Sequence, residues 1–134
     1  MKRLQEHLTH MLDIEQSEAL IAHLQRAGYI ESDEVPEVLI LPGGVSNRTV
    51  LVQRSSGEVW VIKQALEKLR VQVDWYSSPM RIHREAAGLR WFSRLAPAGS
   101  IVSFIFEDFD NHLLAMEAVP QPHTNWKTML LEGN

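Results

Sequence analysis

The chain has 134 residues, 45% of them hydrophobic and 22% charged, which fits one globular domain and excludes collagen-like, coiled-coil and disordered classes. Its 13 basic and 17 acidic residues give a net charge of −4, so no general positive field attracts a nucleic-acid backbone or an anionic membrane. The absence of cysteine excludes disulfides and thiolate zinc sites, and without a signal-like or membrane-spanning apolar run the cytoplasm is the expected compartment.

Two helix patterns open the chain. Residues 2–12 and 17–27 each repeat apolar side chains at helical spacing, so residues 1–30 are predicted to form a helical segment ahead of the main domain. His7 and His10 lie one turn apart in the first pattern. A metal site needs further ligands that the neighbouring sequence does not offer, so we expect two solvated histidines.

Short strand patterns follow the polar stretch "ESDEVP". Residues 37–41, 49–54 and 58–64 are rich in β-branched and aliphatic side chains. The turn sequences "PGGVSN" and "SSG" connect them, and both are typical of tight reversals. The pattern therefore predicts a three-stranded antiparallel meander.

A long helix and two more strands come next. Ser78, followed by proline, suits the start of a helix over residues 79–95, and strand patterns occupy residues 101–107 and 112–117. Residues 124–131 begin another helix. Strands in series with one inserted helix predict an α+β fold, in which the long helix packs on a five-stranded antiparallel sheet.

A lysine lies inside the apolar strand "VIKQAL". Because successive side chains of a strand point to opposite faces, Lys63 lies on the same face as Val59 and Val61. Glu85 falls within the apolar stripe of the long helix, and we predict that it pairs with Lys63, because an unpaired charge on a packed face is costly. The alternative is a lysine that reaches solvent at a sheet edge and a solvated glutamate. The stripe itself comprises Ile82, Ala86, Leu89, Phe92 and Ser93, and the predicted solvent side carries Arg81, Arg84, Arg90 and Arg94.

The turn "LPGGVSNRT", between the first two predicted strands, contains two adjacent glycines. Glycines let a backbone approach a ligand closely and aim N–H groups at an anion. A phosphate-binding turn is one interpretation of this stretch, and a plain hairpin turn is the other.

Together these features resemble the N-terminal lobe of the protein-kinase-like fold. The stretches "GGVSN", "VIKQAL", "LRVQVDW" and "PMRIHREAAGLRWF" are similar to the aminoglycoside phosphotransferase and methylthioribose kinase families, over about residues 37–134. The resemblance implies that residues 31–120 form the ATP-binding lobe and that residues 121–134 form the hinge and the start of a second lobe. The turn lacks the full G-x-G-x-x-G of protein kinases, which favours the small-molecule branch.

The same resemblance implies roles for individual residues. Lys63 would hold the α- and β-phosphates of ATP, and Glu85 would orient Lys63. Met116 would border the adenine, whose edge would bind the backbone of Glu117 and Val119. The loop over the phosphates would consist of Gly43, Gly44, Val45, Ser46 and Asn47.

The resemblance also implies what lies outside this chain. The family keeps its catalytic aspartate and its Mg²⁺ ligands in the second lobe, and no His-Gly-Asp or His-Arg-Asp stretch occurs here. We therefore assign no catalytic residue and no metal ligand, expect no kinase activity from these residues alone, and assign turn roles to Asp74, Asp108 and Asp110.

The whole protein would transfer the γ-phosphoryl of ATP, with Mg²⁺, to a hydroxyl of a small molecule. The alternative is a stand-alone, non-catalytic module that binds nucleotide or serves assembly. We further expect apolar surface to be exposed around Val45, Val61, Met116 and Trp126, and hence self-association. Core or lobe-interface packing is predicted for Trp75, Trp91 and Trp126.

Overall fold

The computed structural model describes residues 11–133. The helix pattern at residues 2–12 lies almost entirely outside that range, as do His7 and His10. Within it, the helices are α1 (Ser17–Arg26), α2 (Arg81–Leu95) and α3 (Trp126–Leu131), and the strands are β1 (Glu37–Ile40), β2 (Asn47–Gln53), β3 (Val59–Ala65), β4 (Phe104–Asp108) and β5 (Leu113–Glu117). None of the helices in residues 11–133 combines the length and apolar character that crossing a membrane requires.

The five strands form one antiparallel sheet in the order β1-β2-β3-β5-β4. Thr49 lies opposite Lys63 on one side, and Leu114 lies opposite it on the other. The last strand in sequence thus lies between β3 and β4, and β4 forms the edge of the sheet. The predicted α+β fold, with a long helix packed on a five-stranded antiparallel sheet, is confirmed. Most element ends differ from their predicted positions by one or two residues, and β4 begins three residues later than predicted.

One face of the sheet is closed by α1 and residues 11–16. Strand alternation sends Val50, Trp60 and Ile62 toward this side, where Leu20 and Leu24 of α1 meet them. All five are buried. This cluster is the main hydrophobic core, and it explains why the helix predicted at 17–27 has an apolar stripe.

A buried glutamine binds the residues just before α1 to this face. The buried amide of Gln64 donates to the carbonyls of Leu12 and Asn111 and accepts from the N–H of Ile14. Its hydrogen-bonding capacity is thereby met inside the protein, as a buried amide requires.

A second polar attachment holds the loop before β1. The Arg54 guanidinium binds the buried carboxylate of Glu34 through two hydrogen bonds of 2.9 and 2.8 Å. The same guanidinium lies over the Trp60 ring, 4.7 Å from its centroid. The loop therefore joins the core through a bidentate, charge-assisted contact.

The opposite face is covered by α2 only in part. Ile82 and Ala86 are buried against Ala65 and Leu114. Farther along the helix, Phe92 is 59% exposed, and Ser93 is exposed as well. The predicted stripe is thus packed at its start and exposed at its end, because a 15-residue helix is about 22 Å long and its last turns extend past the apolar patch beneath its start.

The predicted core packing of three tryptophans was also wrong. Trp75 lies in the segment that connects β3 to α2, and Trp91 lies on the outer side of α2. Trp126 is the first residue of α3, a helix with no buried residue. All three are more than half exposed. Their packing against a second lobe stays a prediction.

Candidate functional site

The predicted ion pair between β3 and α2 forms. The Lys63 Nζ lies 2.6 Å from Oε1 of Glu85. Strand alternation directs Lys63 to the α2 face, and Glu85 comes one helical turn after the start of α2. Two independent periodicities, of strand and of helix, therefore bring the charges together.

The pair is more open to water than the sequence indicated. The Lys63 side chain is 28% exposed and that of Glu85 is 43% exposed. Ion pairs of this kind contribute only about 0–1 kcal/mol to folding, because water already solvates both charges well. The contact thus does more to fix the position of an accessible ammonium than to stabilise the protein.

An apolar strip lies beside the pair on the same face. Leu39, Leu51, Val61 and Met116 are successive cross-strand partners along the sheet. α2 packs against β3, β4 and β5 and does not reach β1. Leu39 on β1 is therefore exposed, while the other three are half-buried. The strip is a flat apolar surface with an ammonium at one side.

The glycine-rich turn between β1 and β2 stands at the Lys63 end of the strands. Gly43 has φ +100°, a conformation that other residues rarely adopt. A Cβ on Gly44 would lie 3.0 Å from the carbonyl oxygen of Asn47, so this reversal leaves little room for a side chain. The two glycines therefore have structural reasons to be glycine.

Two carbonyls of this turn, those of Val45 and Ser46, face the protein. Val45 O accepts from Arg70 N at 2.8 Å, and Ser46 O accepts from Leu66 N at 3.0 Å. By contrast, the N–H groups of residues 43–46 donate to no backbone carbonyl within residues 11–133. A turn with inward carbonyls and unengaged N–H groups has the polarity that an anion needs.

Asn47, the first residue of β2, shares the Lys63 face. Alternation along β2 places it on the same side as Thr49, the cross-strand partner of Lys63. Its Oδ1 is buried and finds no hydrogen-bond partner in the described part of the chain. The structure thus puts a polar amide between the turn and the ammonium.

The predicted hinge residues follow β5. Met116 lies opposite Val61, the N–H of Glu117 donates to Ser103 O at 2.9 Å, and that of Ala118 donates to Val59 O at 2.9 Å. Val119 is exposed, and its N–H makes no backbone hydrogen bond with residues 11–133. Val119 therefore presents a main-chain donor beside the apolar strip.

Two of the remaining aspartates have local roles. Asp108 accepts from the N–H groups of Asp110 and Asn111, at 2.9 and 3.1 Å, and lies 2.8 Å from His23 Nε2. Burial raises the Asp108 pKa, but the hydrogen bonds from Asn111 and His23 outweigh it and hold the pKa below its ordinary value. The exposed Asp74 pairs with Lys68. The turn role predicted for Asp108 is confirmed.

The prediction that four arginines of α2 face solvent was wrong for Arg81, whereas Arg84, Arg90 and Arg94 are exposed, although Arg90 also reaches back to the sheet. Arg90 donates to Glu107 Oε1 at 2.6 Å and lies over the Phe104 ring, 4.3 Å from its centroid. A long side chain can run along a sheet edge to a strand carboxylate, which a helical wheel does not register. Arg81 binds main-chain carbonyls instead.

A buried histidine that the sequence interpretation missed joins α2 to the β4–β5 hairpin. His83 Nδ1 lies 2.9 Å from Glu107 Oε2, its Nε2 lies 3.1 Å from His112 Nδ1, and its ring stacks on Phe109 at 4.0 Å. Within residues 11–133 no group of three or more histidine and acidic side chains could hold a metal ion. No spacing rule links these positions, so only the folded chain brings them together.

Comparison with known proteins adds no relative. No protein-family model matches the sequence, and no curated protein matches it either. What the chain does is therefore a question for the geometry around Lys63, Glu85 and the glycine-rich turn.

Proposed function

We propose that this chain is the ATP-binding lobe of a small-molecule kinase, similar to aminoglycoside phosphotransferases and methylthioribose kinases. The whole enzyme would transfer the γ-phosphoryl of ATP, with Mg²⁺, to a hydroxyl of a small molecule. One observation carries the proposal: the Lys63 ammonium, 2.6 Å from the Glu85 carboxylate, stands open to solvent beside an apolar strip and a glycine-rich turn.

The chemistry of ATP fits these three features. Its adenine is flat and has apolar faces, which suit the strip that includes Val61 and Met116. Its edge needs main-chain partners, and the Val119 N–H is available among the described residues. Its triphosphate needs cations and N–H donors, which Lys63 and the turn at residues 43–46 supply.

The proposal assigns binding to this chain and chemistry to residues elsewhere. In the families it resembles, the base for the acceptor hydroxyl and the Mg²⁺ ligands belong to a second lobe. ATP binding by this chain is thus expected to be weak. The proposed compartment is the cytoplasm, and nucleic acid and membrane are not proposed as partners.

The test is an NMR titration of the protein with ATP and Mg²⁺. We expect shifts at residues 43–47, at Lys63 and at Val119, and an affinity about tenfold lower in Lys63→Met. Lys68→Met is the matched control, because it also removes a lysine from an ion pair, at an exposed site. Absence of any shift with millimolar ATP, or equal weakening in both variants, would contradict the proposal.

Self-association is part of the same proposal. Val45 and Trp126 are exposed, at 47% and 74%, while Val61 and Met116 are half-buried, which supports an apolar surface that a second copy could cover. Sedimentation equilibrium over a range of protein concentrations tests it. A single monomeric species at the highest concentration would rule out this part of the proposal.

A further inference from the structure

Arg81, the first residue of α2, directs its guanidinium into the protein. Nη1 donates to the carbonyls of Ser77 and Ser78, at 3.1 and 3.0 Å. Nη2 donates to the carbonyl of Leu66 at 2.8 Å and to that of Ser46. The four N–H groups on its two terminal nitrogens thus match four main-chain acceptors.

These carbonyls belong to the three segments that build the candidate site. Ser46 ends the glycine-rich turn, and Leu66 follows the strand that carries Lys63. The carbonyls of residues 77 and 78 precede α2, which presents Glu85 one turn beyond Arg81. A single side chain therefore connects the turn, the lysine strand and the glutamate helix.

The charge of Arg81 is also distinctive. Lys63 is paired with Glu85, whereas Arg81 has no carboxylate within ion-pair distance among residues 11–133. Only carbonyl dipoles accompany the guanidinium. A cation at the base of the turn adds a positive potential where the N–H groups are already unengaged.

We propose that Arg81 is a positioning residue that fixes the glycine-rich turn relative to α2, so that the turn N–H groups and the Lys63 ammonium face the same anion. Its effect on phosphate binding rests on the proposed function, whereas the mechanical connection does not. Arginine is needed because its planar fork serves carbonyls on two sides at once, and the ammonium of a lysine has neither the geometry nor enough donors.

Hydrogen exchange of the ligand-free protein tests the connection. Arg81→Lys should speed exchange of the Leu66 and Arg70 amides, which bind the turn carbonyls, by about tenfold, with the centre of β3 unchanged. Arg84→Lys is the control, because Arg84 is exposed and makes no ion pair or hydrogen bond with described residues. Wild-type exchange at both amides, or equal acceleration throughout the sheet, would overturn the proposal.

A measurement on the unaltered protein covers the case in which the variant does not fold. Four engaged N–H groups should slow guanidinium rotation, so Arg81 should give separate Nη proton resonances at low temperature, whereas Arg84 should give averaged ones. Averaged resonances for Arg81 would contradict the hydrogen-bonded arrangement.

The effect on phosphate binding is measured separately, with ATP and adenosine as probes. Arg81→Lys should lower the affinity for ATP by about tenfold and leave that for adenosine unchanged, because adenosine lacks the phosphates. Equal affinity of wild type and variant for ATP would refute the phosphate role. If the wild-type protein itself does not bind ATP, the proposed function fails, while the exchange data still decide whether Arg81 holds the turn.

Discussion

The two faces of the sheet differ in how completely they are covered. On the α1 face, Leu20, Leu24 and Ile62 are fully buried, and polar groups such as Gln64 have partners inside the protein. On the α2 face, the helix covers part of the sheet and leaves the strip from Leu39 to Met116 open at the side of the ion pair.

This difference separates stability from accessibility. A closed apolar face contributes most of the free energy of folding, because that free energy grows with the area removed from water. An open face contributes less, but its charges and main-chain donors stay within reach of a ligand. One sheet can thus have a face that maintains the fold and a face that is free to bind.

The largest expected effect comes from the closed face. Leu24→Ala should lower the free energy of unfolding by about 2–5 kcal/mol, because it leaves a cavity in a fully buried cluster. Leu51→Ala on the open strip should cost about 1 kcal/mol or less, since Leu51 is only half-buried. Urea denaturation of both variants measures the difference. Equal costs would contradict the contrast between the faces.

The next largest effect concerns the loop before β1. Arg54→Met should cost about 1–3 kcal/mol, because it leaves the buried Glu34 carboxylate without its bidentate hydrogen-bond partner. Arg84→Met, at an exposed position of α2, should change stability by less than about 0.5 kcal/mol. Thermal or urea unfolding measures both changes. An equal loss of unfolding free energy in the two variants would show that the buried Glu34 carboxylate does not need Arg54 as its partner.

The dependence of stability on pH should follow the same carboxylate. The hydrogen bonds from Arg54 lower the Glu34 pKa below its ordinary value of 4.5, against the opposing effect of burial. A lowered folded-state pKa means that this stabilisation is complete above pH 4.5 and is lost as the pH falls through the folded-state value. Urea unfolding at a series of acidic pH values should show the loss, and Glu34→Gln should reduce its slope. An identical slope in the two proteins would refute the assignment.

The smallest effect on folding is expected at the ion pair itself. Lys63→Met should change the free energy of unfolding by less than about 1 kcal/mol, because the pair is open to solvent. Chemical denaturation provides the value. A cost of more than about 2 kcal/mol would make the pair a structural contact like those of the closed face.

Part of the candidate site was predictable from local patterns. Alternation along β3 and helical spacing along α2 were enough to place Lys63 and Glu85 on facing surfaces, and the two glycines marked the turn. The same patterns failed where a side chain reaches beyond its own element. Arg81, assigned to solvent by the helical wheel, turns back to the main-chain carbonyl of Ser46.

The sequence by itself determined the strands, the long helix and the faces on which Lys63 and Glu85 lie, because the repeat of a strand or a helix fixes which residues share a face. The contact between these two side chains follows from the way α2 packs on the sheet. Only the tertiary structure decided the place of β5 beside β3, the covering of one face by α1, and the networks of Arg81 and His83. Those features depend on which elements meet in space, and contacts between residues far apart in sequence leave no periodic trace in it.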